Sequence, residues 1–372
     1  MTTVWLAANT LRYPRGGGHL WAYMNWALGL RACGCDLVWL EGLPAGCSTE
    51  EAERALAGLK TRLARYGLQT AVALHIGGEP IAGLNPQAVD LELASEADLL
   101  IDMSYATHAA LTRRFRKSAL LDIDPGLTQI WVDARQFVLA PHDLYFTIGE
   151  TVGRPEARFP DCGLDWIYTP PCISLTHWRP APGAGHAYTT VSQWYAKNEW
   201  VLHGDDSYDN SKRAGFLDYL DLPGQTAARL ELALSLGNDT YEEQNLRGRG
   251  WAVREAETVA STPWDYQAYV QGSRGEFSCV KPSCVRLQNA WISDRTLCYL
   301  ASGRPAVVQH TGPSRILPDD AGLLRFRTPE EAVQRLAQAE AGYDRHAKAA
   351  RQLVEEVFDA RKVAGRVLER CL

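Results

Sequence analysis

Short apolar runs alternate with helix-period segments along most of this chain, and that alternation restricts the fold more than any other feature. VWLAA (4–8), DLVWL (36–40), AVALH (71–75), DLLIDM (98–103), ALLDID (119–124) and LYFTIG (144–149) read as strands. Near-continuous apolar runs suit strands covered on both faces, and strands separated by helices suit a parallel sheet. Between the first two runs, Leu20, Met24, Ala27, Leu28 and Arg31 share one helical face. Ser48 and Glu51 form a capping-box pattern before the next helix, which Gly67 can close. TPPCISLTHWRPAPGAGHAY (169–188) breaks the alternation and reads as a linker.

The alternation then resumes. YTTVSQW (188–194), LELALSL (230–236), WAVREA (251–256), EFSCV (276–280) and PAVVQ (305–309) are strand-like. Helical patterns fall around 212–221, 240–248 and 264–272, after a capping box at Thr328, Pro329 and Glu331, and again from 342 to the end. A chain of 372 residues exceeds one ordinary core. The expected architecture is α/β with two domains, 1–175 and 176–355, and a terminal helix, 356–372.

A net charge of −6 gives no general attraction to nucleic acid or anionic lipid. The nine cysteines include no CxxC pair, and the histidines show no HxxxH or HExxH spacing, so neither a zinc site nor a redox motif is expected. Scattered cysteines in apolar runs suit reduced thiols and a cytoplasmic location. No signal-peptide pattern or uninterrupted membrane-length apolar stretch occurs.

Two stretches carry chemistry. In RYPRGGGHLW, a third glycine of the dinucleotide fingerprint is missing, because Trp21 stands in its place, and GxxxxGK is absent altogether. The turn leaves His19 at the mouth of a helix. In EFSCVKPSCVRLQNAWISDRTLCYLASGRPAVVQHTG, Lys281-Pro282-Ser283 follows a strand, and Ser293 caps a helix whose first turn holds Asp294 and Arg295. A helix start with free amide donors suits a diphosphate; Arg295 adds a charged donor, and Asp294 suits ribose hydroxyls. The alternative is a capped amphipathic helix with solvated charges. Asp122 and Asp124 have the spacing of a metal-diphosphate site, although a turn-forming role fits the following Pro-Gly better. GDDSYDNSK (204–212) reads as a solvated loop, and Trp5 and Trp39, on strands, as core.

The chain resembles the GT-B glycosyltransferases. ASGRPAVV (301–308) is similar to the glycine-proline stretch of their nucleotide-sugar domain, FSCVKPS (277–283) to the strand and turn before it, and His19-Leu20 with ALGLRACGCDLVWL (27–40) to the first unit of their acceptor domain. The resemblance implies two Rossmann-like domains facing across a cleft, with the terminal helix returning to the first. It implies donor contacts at Lys281, Ser293, Asp294, Arg295, Gln309, Thr311 and Gly312, and acceptor contacts at Trp21, Tyr23 and Trp26. In inverting members a histidine in the position of His19 is the general base, and Asp102 stands in the order of its carboxylate partner. In retaining members the turn, here Gly17 and Gly18, meets the donor phosphates and no base is needed; the resemblance does not separate the two. Cys298 occupies the place of a usual glutamate, and the plant-type His-Cys-Gly-Trp-Asn signature is absent, which leaves the nucleotide open.

The expectation is therefore a hexosyltransferase without metal or resident cofactor. Its co-substrate would be a UDP- or dTDP-sugar, and its acceptor a small molecule or aglycone rather than nucleic acid. A sugar-nucleotide epimerase and a non-catalytic sugar-nucleotide-binding protein are the alternatives on the same fold.

Overall fold

The structure, a computed structural model, describes residues 1–69, 71–84, 87–105, 107–183, 185–195 and 200–372. Ala184, inside the expected linker, lies outside the described residues. The first sheet is built from β1 (Thr3–Ala8), β2 (Asp36–Leu43), β3 (Val72–Ile76), β4 (Glu79–Pro80), β5 (Leu99–Asp102), β6 (Ser118–Asp122), β7 (Leu144–Thr147) and β8 (Trp166–Tyr168). Their spatial order is β4-β3-β2-β1-β5-β6-β7-β8, parallel except for the β3–β4 pair. An antiparallel hairpin, β10 (Trp200–His203) with β11 (Asp206–Asp209), follows β9 (Ala187–Gln193). The second sheet adds to β9 the strands β12 (Arg229–Ser235), β13 (Ala252–Glu255), β14 (Gly275–Ser278), β15 (Ala306–Gln309) and β16 (Leu323–Phe326). It is wholly parallel, in the order β13-β12-β9-β14-β15-β16.

Strand order reverses at β1 in one sheet and at β9 in the other. Such reversals open a crevice beyond the carboxyl ends of the strands. The Gly17–Ala32 helix leaves β1, and the Asp294–Ala301 helix stands between β14 and β15. Segments that follow the carboxyl ends of the two sheets meet one another: Pro125 with Asn289, Glu150 with Ser314, and Thr151 with Gln288.

The Gly17–Ala32 helix is buried on nearly every side. One flank packs on the Ala360–Cys371 helix, where a Cβ on Gly29 would lie 2.6 Å from the Ala360 carbonyl oxygen. The two stretches of chain that pass between the sheets are bonded to each other: Ile173 N–H donates to Phe358 and Ala360 N–H to Ile173, at 2.8 and 3.0 Å. Asn25 accepts the Ser174 N–H at 3.1 Å beside them. A π-helical turn at Val354–Phe358 lets the tail leave the Tyr343–Leu353 helix and return.

At its other end the same helix meets the second domain. A Cβ on Gly17 would lie 2.1 Å from the Thr262 carbonyl oxygen, and one on Gly18 2.7 Å from the Tyr266 ring. Trp21 then sits fully buried between Trp178 and Tyr66, with its Nε1–H donating to the Pro263 carbonyl at 2.8 Å. Alanine normally improves a helix over glycine by about 1 kcal/mol. Here Gly17→Ala is expected to lose about 1–3 kcal/mol, because the obstacle is backbone. Gly18→Ala is expected to lose less, since the Tyr266 ring can turn. Chemical denaturation of the two variants checks the order.

Candidate functional site

A shallow pocket opens at the carboxyl ends of β14 and β15, against the start of the Asp294–Ala301 helix. Ser278, Trp291, Ser293, Arg295, Gln309 and Thr311 are among the residues lining it. Ser293 caps the helix, its Oγ accepting the Arg295 N–H at 3.2 Å. The helix thus presents its amide-rich, positive end to the pocket. Four residues expected from the sequence at a donor site (Ser293, Arg295, Gln309 and Thr311) therefore share one cavity.

Their side chains are already engaged. Arg295 donates to Glu276 at 2.7 Å, to Ser278 Oγ at 2.7 Å and to the Val191 carbonyl at 3.2 Å. Burial works against its charge, yet the wholly buried Glu276 carboxylate keeps Arg295 above its ordinary pKa. Gln309 accepts the Val280 N–H and donates to the Tyr219 hydroxyl, and Thr311 donates to the Trp291 carbonyl at 2.6 Å. Gly312 has φ +134°, and a Cβ there would meet the Gln288 carbonyl oxygen at 2.6 Å, so glycine is needed for the turn itself. Lys281 is half-buried at the turn after β14, ahead of the Pro282–Leu287 helix and outside the pocket lining.

The sequence reading missed Lys212. Its ammonium lies behind the pocket wall, 3.3 Å from Ser278 Oγ and bonded to the Cys279 carbonyl. Burial, with the neighbouring Arg295 charge, pushes it from the ordinary 10.5 down to about 7. No local pattern in Ser211-Lys212-Arg213 announces this, because β14 and the Asp294–Ala301 helix supply the surroundings.

Across the cleft, His19 Nε2 lies 2.9 Å from the Asn9 carbonyl oxygen. A carbonyl only accepts, so Nε2 carries the proton and Nδ1 is the free basic nitrogen of the neutral ring. Tyr13 and Tyr23 meet the imidazole edge-on at 4.8 and 5.2 Å. Burial raises the Asp294 carboxyl, while Arg295 and, from the first domain, His19 oppose that rise. Burial also raises the Tyr23 hydroxyl, helped by Asp124, Glu41, Asp294 and Asp102. His19, Tyr23 and Asp294 thus share one electrostatic environment made by both domains.

Several expected roles need correction. Asp102 is not bonded to His19: it accepts from Ser104 N–H and Oγ, both at 2.9 Å, and lies 3.3 Å from His142 Nε2. Burial opposes its charge, but His142 and Ser104 hold Asp102 below its usual pKa. Trp21, Tyr23 and Trp26 are 0%, 2% and 2% exposed and have no free face for an acceptor. Gly17 and Gly18 pack against the second domain's Thr262 and Tyr266, which accounts for both without a phosphate. Asp122 needs no such correction: as a turn-forming role would have it, it accepts from Tyr105, Thr128, Gln129 and Thr147. Among the described residues, no three His, Cys, Asp or Glu side chains come together as a metal site. Glu41, also unforeseen, accepts from Thr10, Leu11 and Trp39 and so fixes the loop that leads to His19.

Lys212 gives a pH-dependent prediction. Its folded value lies below the unfolded one, so between about pH 7 and 10.5 the unfolded chain binds more protons and stability rises with pH. Lys212→Met, an apolar chain of similar length, is expected to remove that rise. Denaturation of both proteins across this range measures the difference.

No protein-family model and no curated protein matches the chain significantly. Solved structures do. HepE from Anabaena, in complex with UDP and glucose, matches with TM-score 0.60 at 13% identity, covering 100% of this chain and 99% of that one. An alpha-glucosyltransferase in complex with UDP-glucose and DNA containing an abasic site gives 0.61 at 11% identity over 99% and 98%. A glycosyltransferase from Rickettsia africae gives 0.56 at 9% identity over 99% and 97%. Among the described residues, no helix is long and apolar enough to cross a membrane. At these identities the likeness is one of fold, and over its whole length this chain has the GT-B fold of two Rossmann-like domains.

Proposed function

We propose that the protein is a glycosyltransferase that moves a sugar from a nucleoside-diphosphate sugar to an acceptor hydroxyl. Residues 1–175 form the acceptor side, 176–355 the donor side, and 356–372 return to the first. One observation carries the reading: a pocket opens at a capped helix start, with Lys212 behind its wall, and Asp294 in that helix's first turn feels the charge of His19 from the other domain. HepE was solved with UDP and glucose and the alpha-glucosyltransferase with UDP-glucose, which supports the donor class.

In this reading the nucleotide occupies the second-domain pocket, beside Trp291, with its diphosphate at the Ser293–Arg295 helix start. Lys212, near neutrality without a ligand, becomes fully charged beside the diphosphate. The acceptor hydroxyl attacks the anomeric carbon and gives its proton to Nδ1 of His19. The bond to the diphosphate breaks with its electron pair, and the helix start and Lys212 stabilise the charge that leaves. Asp294 balances the imidazolium. Tyr13, 47% exposed beside His19, offers the aromatic face that Trp21 and Trp26 do not. The reaction inverts the anomeric centre and needs no metal.

The test is a panel of UDP, dTDP, GDP and CMP, with NAD as a control, followed by transfer assays with the sugar of the base that binds. Saturation at about a hundred times the dissociation constant adds roughly 2.7 kcal/mol of stability. One nucleoside diphosphate is expected to bind equally well with EDTA or Mg²⁺. His19→Ala is expected to keep that affinity while losing about 10²–10⁴-fold in transfer. Binding of NAD alone, or transfer that survives in His19→Ala, contradicts the reading.

A further inference from the structure

Glu150 follows β7 in the first domain, and its carboxylate reaches into the second. It accepts the Ser314 hydroxyl at 2.5 Å and the Arg315 N–H at 2.9 Å. Ser314 Oγ in turn accepts the N–H groups of Ile316 and Leu317, at 3.2 and 3.1 Å. These residues belong to the loop between β15 and β16, which has no helix or strand of its own from 310 to 320. That loop is a wall of the pocket, because Thr311 and Leu317 line it.

The loop has a second anchor inside its own domain. Arg325 donates to the carbonyls of Gly312 and Leu317 and pairs with Asp319. The base of the loop is therefore fixed by the second domain, and its tip by the first. The residue after Glu150 grips the facing wall: Thr151 Oγ1 donates to the Gln288 carbonyl at 3.1 Å, three residues before Trp291. An ionised carboxylate with two acceptor oxygens is well suited to hold a hydroxyl and an amide at once.

We infer that Glu150 is a positioning residue, which holds the Ser314–Arg315 tip of the loop that walls the donor pocket only while the two domains are closed. Donor affinity and closure are then coupled through one side chain. The inference rests on reading that pocket as the nucleotide-sugar site.

The full-length wild type is compared with Glu150→Ala, Glu150→Gln and Ser314→Ala, by small-angle scattering without ligand and by titration with the nucleoside diphosphates above. Glu150→Ala is expected to increase the radius of gyration, to weaken nucleoside-diphosphate binding about tenfold, and to raise the donor KM more than it lowers kcat. Glu150→Gln keeps a carbonyl oxygen for Arg315 and Ser314 and is expected to recover most of the affinity. Ser314→Ala gives a partial loss, and combining it with Glu150→Ala adds little. Wild-type dimensions and affinity in Glu150→Ala overturn the inference, as do losses that simply add in the double variant. Should Glu150→Ala fail to fold, Ser314→Ala against Glu150→Gln decides in the same terms. A wild type that binds none of the diphosphates defeats the donor reading, and the scattering comparison alone then decides the latch: unchanged dimensions overturn it.

Discussion

The cleft depends on a backbone contact: the start of the Gly17–Ala32 helix pressed against the Thr262 carbonyl, with no room for even one Cβ. Because Gly17 and Gly18 have no side chains, the helix carries His19 into the space between the domains instead of stopping short of it. Trp21, one turn further on, joins the two domains through Pro263 and the Trp178 ring. A single apolar core runs from the first sheet through this helix to Tyr266, Leu297 and Phe358. The domains therefore share packed interior on this side of the cleft.

The second domain contributes charge held under tension. Arg295 and Glu276 form a buried pair, and such pairs add little net stability, since desolvation offsets their attraction. What the pair does is fix the Arg295 guanidinium beside Ser278 and keep a positive charge near Lys212. Burial, with that charge, pushes Lys212 down to about 7. An incoming diphosphate would offset the Arg295 charge. A helix start capped by Ser293, with the Lys212 ammonium behind the pocket wall, is the arrangement on which the proposed donor site rests.

Much of this was legible in the sequence, and the remainder has physical causes. The apolar runs marked β1, β2, β3, β5, β6 and β7, because buried parallel strands need no polar face. β16 was missed because Arg325 interrupts its run to reach the loop above. GDDSYDNSK (204–212) reads as a solvated loop because it is acidic and rich in turn formers, yet it holds β11, whose Tyr208 alone turns inward. Ser293-Asp294-Arg295 was readable as a capped helix start, since caps are local. Partners were not readable in the same way. His142, forty residues beyond Asp102, takes its carboxylate, and the three-dimensional fold alone decides that. Trp21, Tyr23 and Trp26 are assigned to an acceptor by the resemblance alone, from their place after the Gly-rich turn, and a helix buried around most of its circumference gives no local sign that they face inward.

A crystal structure of the protein with its preferred nucleoside diphosphate, grown without divalent metal, tests the central claim most directly. The diphosphate is expected at the Ser293–Arg295 helix start, with the Lys212 ammonium in contact and the base in the pocket beside Trp291. A diphosphate bound instead on the first domain, or a second-domain pocket left empty at saturating ligand, would contradict it.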